Sequence, residues 1–112
     1  MAVKSEDYSN VCVINLDGDV TADACQQIRA TVEARVEQRR IVDFVVDFEK
    51  VDFIDSEGLE TLLWLKRRSE DLFGQIKLVN LKENVHKILE ITRLEHRFEC
   101  HADLAGALKT MR

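Results

Sequence analysis

The sequence predicts an α/β domain: a mixed, mainly parallel sheet with helices packed on it. Two observations carry this. Apolar periodicity switches repeatedly along the chain between the twofold repeat of strands and the three-to-four-residue repeat of helices. In addition, 112 residues with no Pro and only four Gly describe one compact domain with short connections, expected to span 1–112.

Residues 3–8 read as a short edge strand. Residues 11–16, VCVINL, are rich in β-branched side chains and strand-like, and Asp17-Gly18-Asp19 supplies a turn. From Thr21 to Gln38 the apolar positions Ala24, Ile28, Val32 and Val36 recur every fourth residue, which gives a helix one apolar stripe. Residues 42–48, VDFVVDF, read as a buried strand. The connection 49–58 climbs into a second helix, where Asp55 and Ser56 are good N-cap residues and Glu57 adds negative charge to the first turn. Leu59, Leu62, Leu63, Leu72 and Phe73 form the expected core face of that helix, which ends near Phe73 with Gly74 as its C-cap. An alternating strand over 75–81, a short helix over 84–91, a last strand over 96–100 and a helix over 103–111 complete the order β-β-α-β-α-β-α-β-α.

Composition excludes several function classes. A hydrophobic share of 46% and a charged share of 33% are those of an ordinary globular protein. The net charge of −5 argues against a nucleic-acid surface, which needs a clustered Lys/Arg field. Arg39/Arg40 and Lys66/Arg67/Arg68 sit near helix ends, where positive charge complements the dipole. Cys12, Cys25 and Cys100 lack metal-ligand spacing, and Cys12, between two valines, reads as a small buried hydrophobe. The first ten residues have no apolar core, and no stretch approaches the ~18 apolar residues of a membrane span. No secretory signal or membrane insertion is therefore expected, and a cytoplasmic location is.

The residues that could carry chemistry are few. His86, His96 and His101 are scattered, and strand alternation places Cys100 and His101 on opposite faces, which argues against a metal site at His96, Cys100 and His101. There is no Gly-rich phosphate loop and no GxSxG elbow. Asp52 and Asp55 could act as paired carboxylates, but no His-activated nucleophile accompanies them. The expectation is no catalytic or metal-binding residue, no cofactor and no small-molecule substrate. The informative segment is Asp55-Ser56-Glu57-Gly58-Leu59, which puts a hydroxyl in the first turn of a helix. Unpaired backbone N–H groups and the helix dipole favour anions there, so a phosphate of about −1.5 to −2 charges could be held on Ser56. From the residues alone, Ser56 as a plain N-terminal helix residue stays open beside this.

Residues 47–63, DFEKVDFIDSEGLETLL, resemble the signature of the STAS family, the bacterial anti-sigma-factor antagonists and their relatives. Residues 13–28 resemble the family's strand, Gly-acidic turn and first helix, and residues 75–98 its following strand, short helix and turn. The resemblance implies a STAS-type mixed β-sheet of about five strands with four helices packed mainly on one side. It also implies a non-enzymatic, phospho-switched binding module in a partner-switching pathway. Ser56 would be phosphorylated by a GHKL-type serine kinase that doubles as an anti-sigma factor, and reset by a PP2C-type phosphatase. The unphosphorylated form would bind the kinase. Asp55 would position the hydroxyl, and Gly58 would allow close backbone approach at the docking surface. The expected partner-binding set is Asp52, Asp55, Ser56, Glu57, Gly58, Glu60 and Trp64.

Helical spacing puts Trp64 with Glu57, Glu60, Thr61, Arg67 and Arg68 on a side away from the leucine stripe, half-exposed as a binding hot spot or packed under a neighbouring loop. The chain departs from the family at Glu57 (usually Ser, Thr or Ala), Glu60 (often Gly), Thr21 (often Asp) and Arg93 (usually Gly). The two glutamates keep a second role in view: a non-catalytic STAS subunit docking on an ATPase of a lipid-transport ABC complex or a larger signalling assembly, with Ser56 unmodified. An unrecognised enzyme or nucleotide-binding domain is the third reading.

Overall fold

The computed structural model describes residues 2–111. Five strands, β1 (Ala2–Tyr8), β2 (Val11–Asp17), β3 (Asp43–Lys50), β4 (Ile76–Val79) and β5 (Glu99–His101), form one sheet in sequence order. β1 and β2 make an antiparallel hairpin, and all later neighbours are parallel. The parallel steps cross over through α1 (Ala22–Arg39), α2 (Ser56–Asp71) and α3 (Glu83–Ile91), and α4 (Leu104–Lys109) follows β5. The expected order and the mixed, mainly parallel sheet are both present.

Two apolar clusters sandwich the sheet. On one face Cys12, Ile14 and Leu16 of β2, Phe44, Val46 and Phe48 of β3, and Ile76 and Leu78 of β4 pack beneath α1, α2 and α3. On the other, Val11, Val13, Val45 and Val79 meet Ala107 and Met111 at α4. Three helices thus share one side and α4 takes the other. The α1 stripe lands as its spacing requires, with Ala24, Ile28 and Val32 fully buried and Val36 at the margin. Cys12 is fully buried, and that burial pushes its thiol up to about 11, as suits a small hydrophobe.

Four expectations need correcting. β4 does not alternate: Ile76 to Val79 are all buried, because α4 covers the face that an antiparallel edge would leave to water. The last strand begins at Glu99, since Glu95–Arg97 form a 3₁₀ turn. Phe73 is 98% exposed rather than core, and Leu65, fully buried, takes the position in the stripe. The left-handed residue after α2 is Phe73 itself (φ 64°), while Gly74 donates to the Ser69 carbonyl at 2.7 Å. Gly74 is required by proximity: a Cβ there would lie 2.0 Å from the Val42 carbonyl oxygen. Arg39 and Arg68, near helix ends, put their charges into specific pairs, with Asp7 on β1 (2.8 Å) and with Glu33 on α1 (2.8 Å).

Lys77, 3% exposed, is the buried cation of the second face. Its ammonium pairs with Glu99 and donates to the Thr110 hydroxyl at the end of α4, joining β4, β5 and α4. Glu99 is over half exposed. Lys77, and then His101, hold its carboxyl below the usual range. The contribution of this lowered group is present at neutral pH and is lost as pH falls through its folded-state value. Removing the exposed partner strands a buried charge, whereas removing the buried one leaves a carboxylate in water. Urea unfolding should therefore show Glu99→Ala costing roughly 1–3 kcal/mol and Lys77→Met costing less; the reverse order would contradict the buried-cation account.

Candidate functional site

The parallel strands β2 and β3 end side by side, and their outgoing loops are stitched together. Gly18 donates to the Lys50 carbonyl (3.0 Å), Val20 to the Phe53 carbonyl (2.9 Å) and Asp55 to the Val20 carbonyl (3.2 Å), with Val20 and Ile54 forming a parallel bridge. Val20, Val51 and Ile54 are buried. Because Val51 and Ile54 point inward, Asp52 and Phe53 are turned out, and Phe53 is 46% exposed. Sequence reasoning did not single out Phe53; the inward anchors Val51 and Ile54 on either side were the available signal.

Asp55 is extended (φ −95°, ψ −175°) and caps α2: its Oδ1 accepts from the Gly58 amide at 2.9 Å and its carbonyl from the Leu59 amide at 3.0 Å. The amides of Ser56 and Glu57 have no protein acceptor among the described residues, so they form the open end of the helix. Ser56 is exposed in that first turn. Gly58 is buried, and within the chain it permits a close approach to Ile54 and Val20. A Cβ on Gly58 would lie 2.5 Å from Ile54 Cγ1 and 2.7 Å from the Val20 carbonyl oxygen. The glycine therefore seats the start of α2 against the β2–β3 loop crossing.

Asp52, Glu57 and Glu60 are exposed around Ser56. Asp52 pairs with Lys82, the N-cap residue of α3, at 3.1 Å, which brings a third loop to the same end of the sheet. Glu57 and Glu60 line a groove between α1 and α2 with Ala22, Cys25, Gln26, Arg29 and Thr61. Trp64 is half-buried and packs against the core cluster, with the Arg29 guanidinium 4.7 Å from its ring centroid. It is thus held by α1 rather than by a loop. Thr61, expected on the outer side, is buried, with its hydroxyl donating to the Glu57 carbonyl at 2.9 Å. The arrangement gathers Asp52, Asp55, Ser56, Glu57 and Glu60 at one end of the sheet, with Gly58 beneath them and Trp64 further along α2.

A hydroxyl on an exposed helix N-terminus above a mixed sheet with three crossover helices on one side is the arrangement of a STAS domain. The family model for the STAS domain matches residues 2–107, and the chain belongs to this family. An anti-sigma F factor antagonist of Lysinibacillus sphaericus is 29% identical over 82 residues, 73% of this chain and 70% of that one. The structure of the anti-sigma factor antagonist SpoIIAA in its unphosphorylated form superposes with a TM-score of 0.85 at 26% identity, covering 97% of this chain and 95% of that one. The phosphorylated form of SpoIIAA, the Bacillus cell fate determinant, gives 0.78 at 26% identity, covering 99% and 100%. Among the described residues no helix is long and apolar enough to cross a membrane.

The cap and the close approach make separable predictions. Asp55→Ala should cost about 1 kcal/mol and Asp55→Asn almost nothing, since Asn caps as well. Gly58→Ala gains helix propensity of about 1 kcal/mol but must displace the Val20 carbonyl, an overpacking cost of about 1–3 kcal/mol. Urea unfolding should show Gly58→Ala no more stable than the parent; a stabilised variant would mean that α2 is not seated on Val20.

Proposed function

We propose that this chain is an anti-sigma-factor antagonist acting as a phospho-switched binding module. Unphosphorylated, it binds a serine kinase of the GHKL type that also serves as an anti-sigma factor; phosphorylated on Ser56, it lets that partner go; a PP2C-type phosphatase restores the first state. The observation that supports this most is the exposed Ser56 hydroxyl at the unpaired end of α2, in a chain 26% identical to a protein described in both phosphorylated and unphosphorylated forms. The module acts by binding, and the catalytic groups belong to the kinase. Asp55 Oδ1 accepts from the Gly58 amide, so that carboxylate is fixed beside Ser56 as the cap of α2.

The charges around Ser56 explain how one group could release a partner. A kinase that phosphorylates Ser56 brings its nucleotide phosphates to this point, and a phosphoserine left there faces them as a dianion. Glu57, Glu60 and Asp52 add like charge from its own side, while the helix end relieves only part of the cost. Phe53 beside them offers the partner an apolar anchor, the kind of exposed aromatic that concentrates binding energy.

Phosphopeptide mass spectrometry of the protein from its own cells, with co-purifying proteins identified, should find phosphate on Ser56 and a GHKL-type kinase. With that kinase in hand, Ser56→Ala should bind like the unmodified chain and Ser56→Asp at least tenfold more weakly, about 1.4 kcal/mol. Equal binding by Ser56→Asp, or an unmodified chain travelling with a transporter ATPase, would replace the switch with a scaffold.

A further inference from the structure

On α3 and the turn that follows it, three side chains converge that are not among the residues of the candidate switch. His86 and Glu90 lie four residues apart, so one face of α3 presents both. The chain leaves α3, turns, and returns Glu95 at the start of the 3₁₀ turn to the same face. One ligand atom from each of His86, Glu90 and Glu95 lies within 4.8 Å of the other two. His86 Nε2 is 3.9 Å from one Glu95 oxygen, and His96 Nε2 is 3.4 Å from the other. Among the described residues neither Glu90 nor Glu95 is paired with Lys or Arg; Lys87, on the same helix, is paired with Glu83.

The donor set has a definite chemistry. One imidazole nitrogen and two carboxylate oxygens, carrying two negative charges, match a divalent ion of borderline softness. Tetrahedral Zn²⁺ at ~2.0–2.1 Å from its ligands needs donors roughly 3.4 Å apart. His86 and Glu90 are exposed and Glu95 half-buried, so the two exposed side chains have room to rotate toward a shared ion. His96 is placed to hold the second Glu95 oxygen, as outer groups commonly orient a ligating carboxylate, or to supply a fourth ligand.

We propose that His86, Glu90 and Glu95 form a binding site for a divalent transition-metal ion of the Zn²⁺ class, clamping the end of α3 to the turn that leads into β5. Sequence spacing hides it, because Glu95 reaches His86 only through the left-handed reversal at Arg93 (φ 60°). The site stands independently of the switch at Ser56.

Isothermal titration of the full chain with Zn²⁺, under reducing conditions at neutral pH, should show one saturable site and a higher Tm with metal. Mg²⁺, which prefers an all-oxygen shell, should not compete. His86→Ala and Glu95→Gln should each weaken Zn²⁺ at least tenfold with an unchanged far-UV spectrum, and His101→Ala should leave it unaltered. No saturable binding, undiminished binding in His86→Ala, or an equal loss in His101→Ala would overturn the proposal.

Discussion

The structure depends on the crossing of two loops at Val20. That residue donates to the Phe53 carbonyl, accepts from the Asp55 amide, bridges to Ile54 and sits beneath Gly58. Parallel strands must send their chains out at the same end of a sheet, so the loops after β2 and β3 compete for one space. Here the competition is resolved by backbone hydrogen bonds between them and by a glycine where the helix comes closest. The consequence is a rigid platform from which Asp52, Phe53 and Ser56 project. Asp52 and Ser56 have short side chains that cannot move far, so their placement is inherited from the backbone beneath.

This rigidity bears on how a switch of this kind can work. The Ser56 hydroxyl takes no part in the cap, which belongs to Asp55, nor in the packing, which belongs to Gly58 and Leu59. Adding a group to Ser56 therefore changes surface charge and shape while leaving the supports of α2 in place. The acidic surroundings make the site sensitive to a further negative charge, and the pairing of Asp52 with Lys82 ties α3 to the same surface.

Much of this was legible in the sequence because local patterns coincide with local causes. The fourfold recurrence of Ala24, Ile28, Val32 and Val36 can bury only one face of a helix, and Asp55 and Ser56 are both residue types that cap one, the cap falling to Asp55. What the sequence did not disclose depends on partners distant along the chain. β4 is buried on both faces because α4 returns to cover it, and its alternating look comes from Lys77, whose charge is met by Glu99 and Thr110. Gly58 answers to Val20 and Ile54, so its role inside the fold could not be separated from a role in docking. Trp64 lies toward α1 because Arg29 stacks on it, and Phe73 is expelled because the chain reverses at that residue.

The central claim is that phosphate on Ser56 acts at the surface of an unchanged scaffold. Amide NMR spectra of the unmodified and the Ser56-phosphorylated chain test it directly. The account predicts shifts concentrated at residues 52–60 and at Val20, with β4, β5 and α4 unmoved. Shifts spread through β4 and α4, or loss of the Gly58 amide's protection from exchange, would mean that the modification unseats α2, and would contradict it.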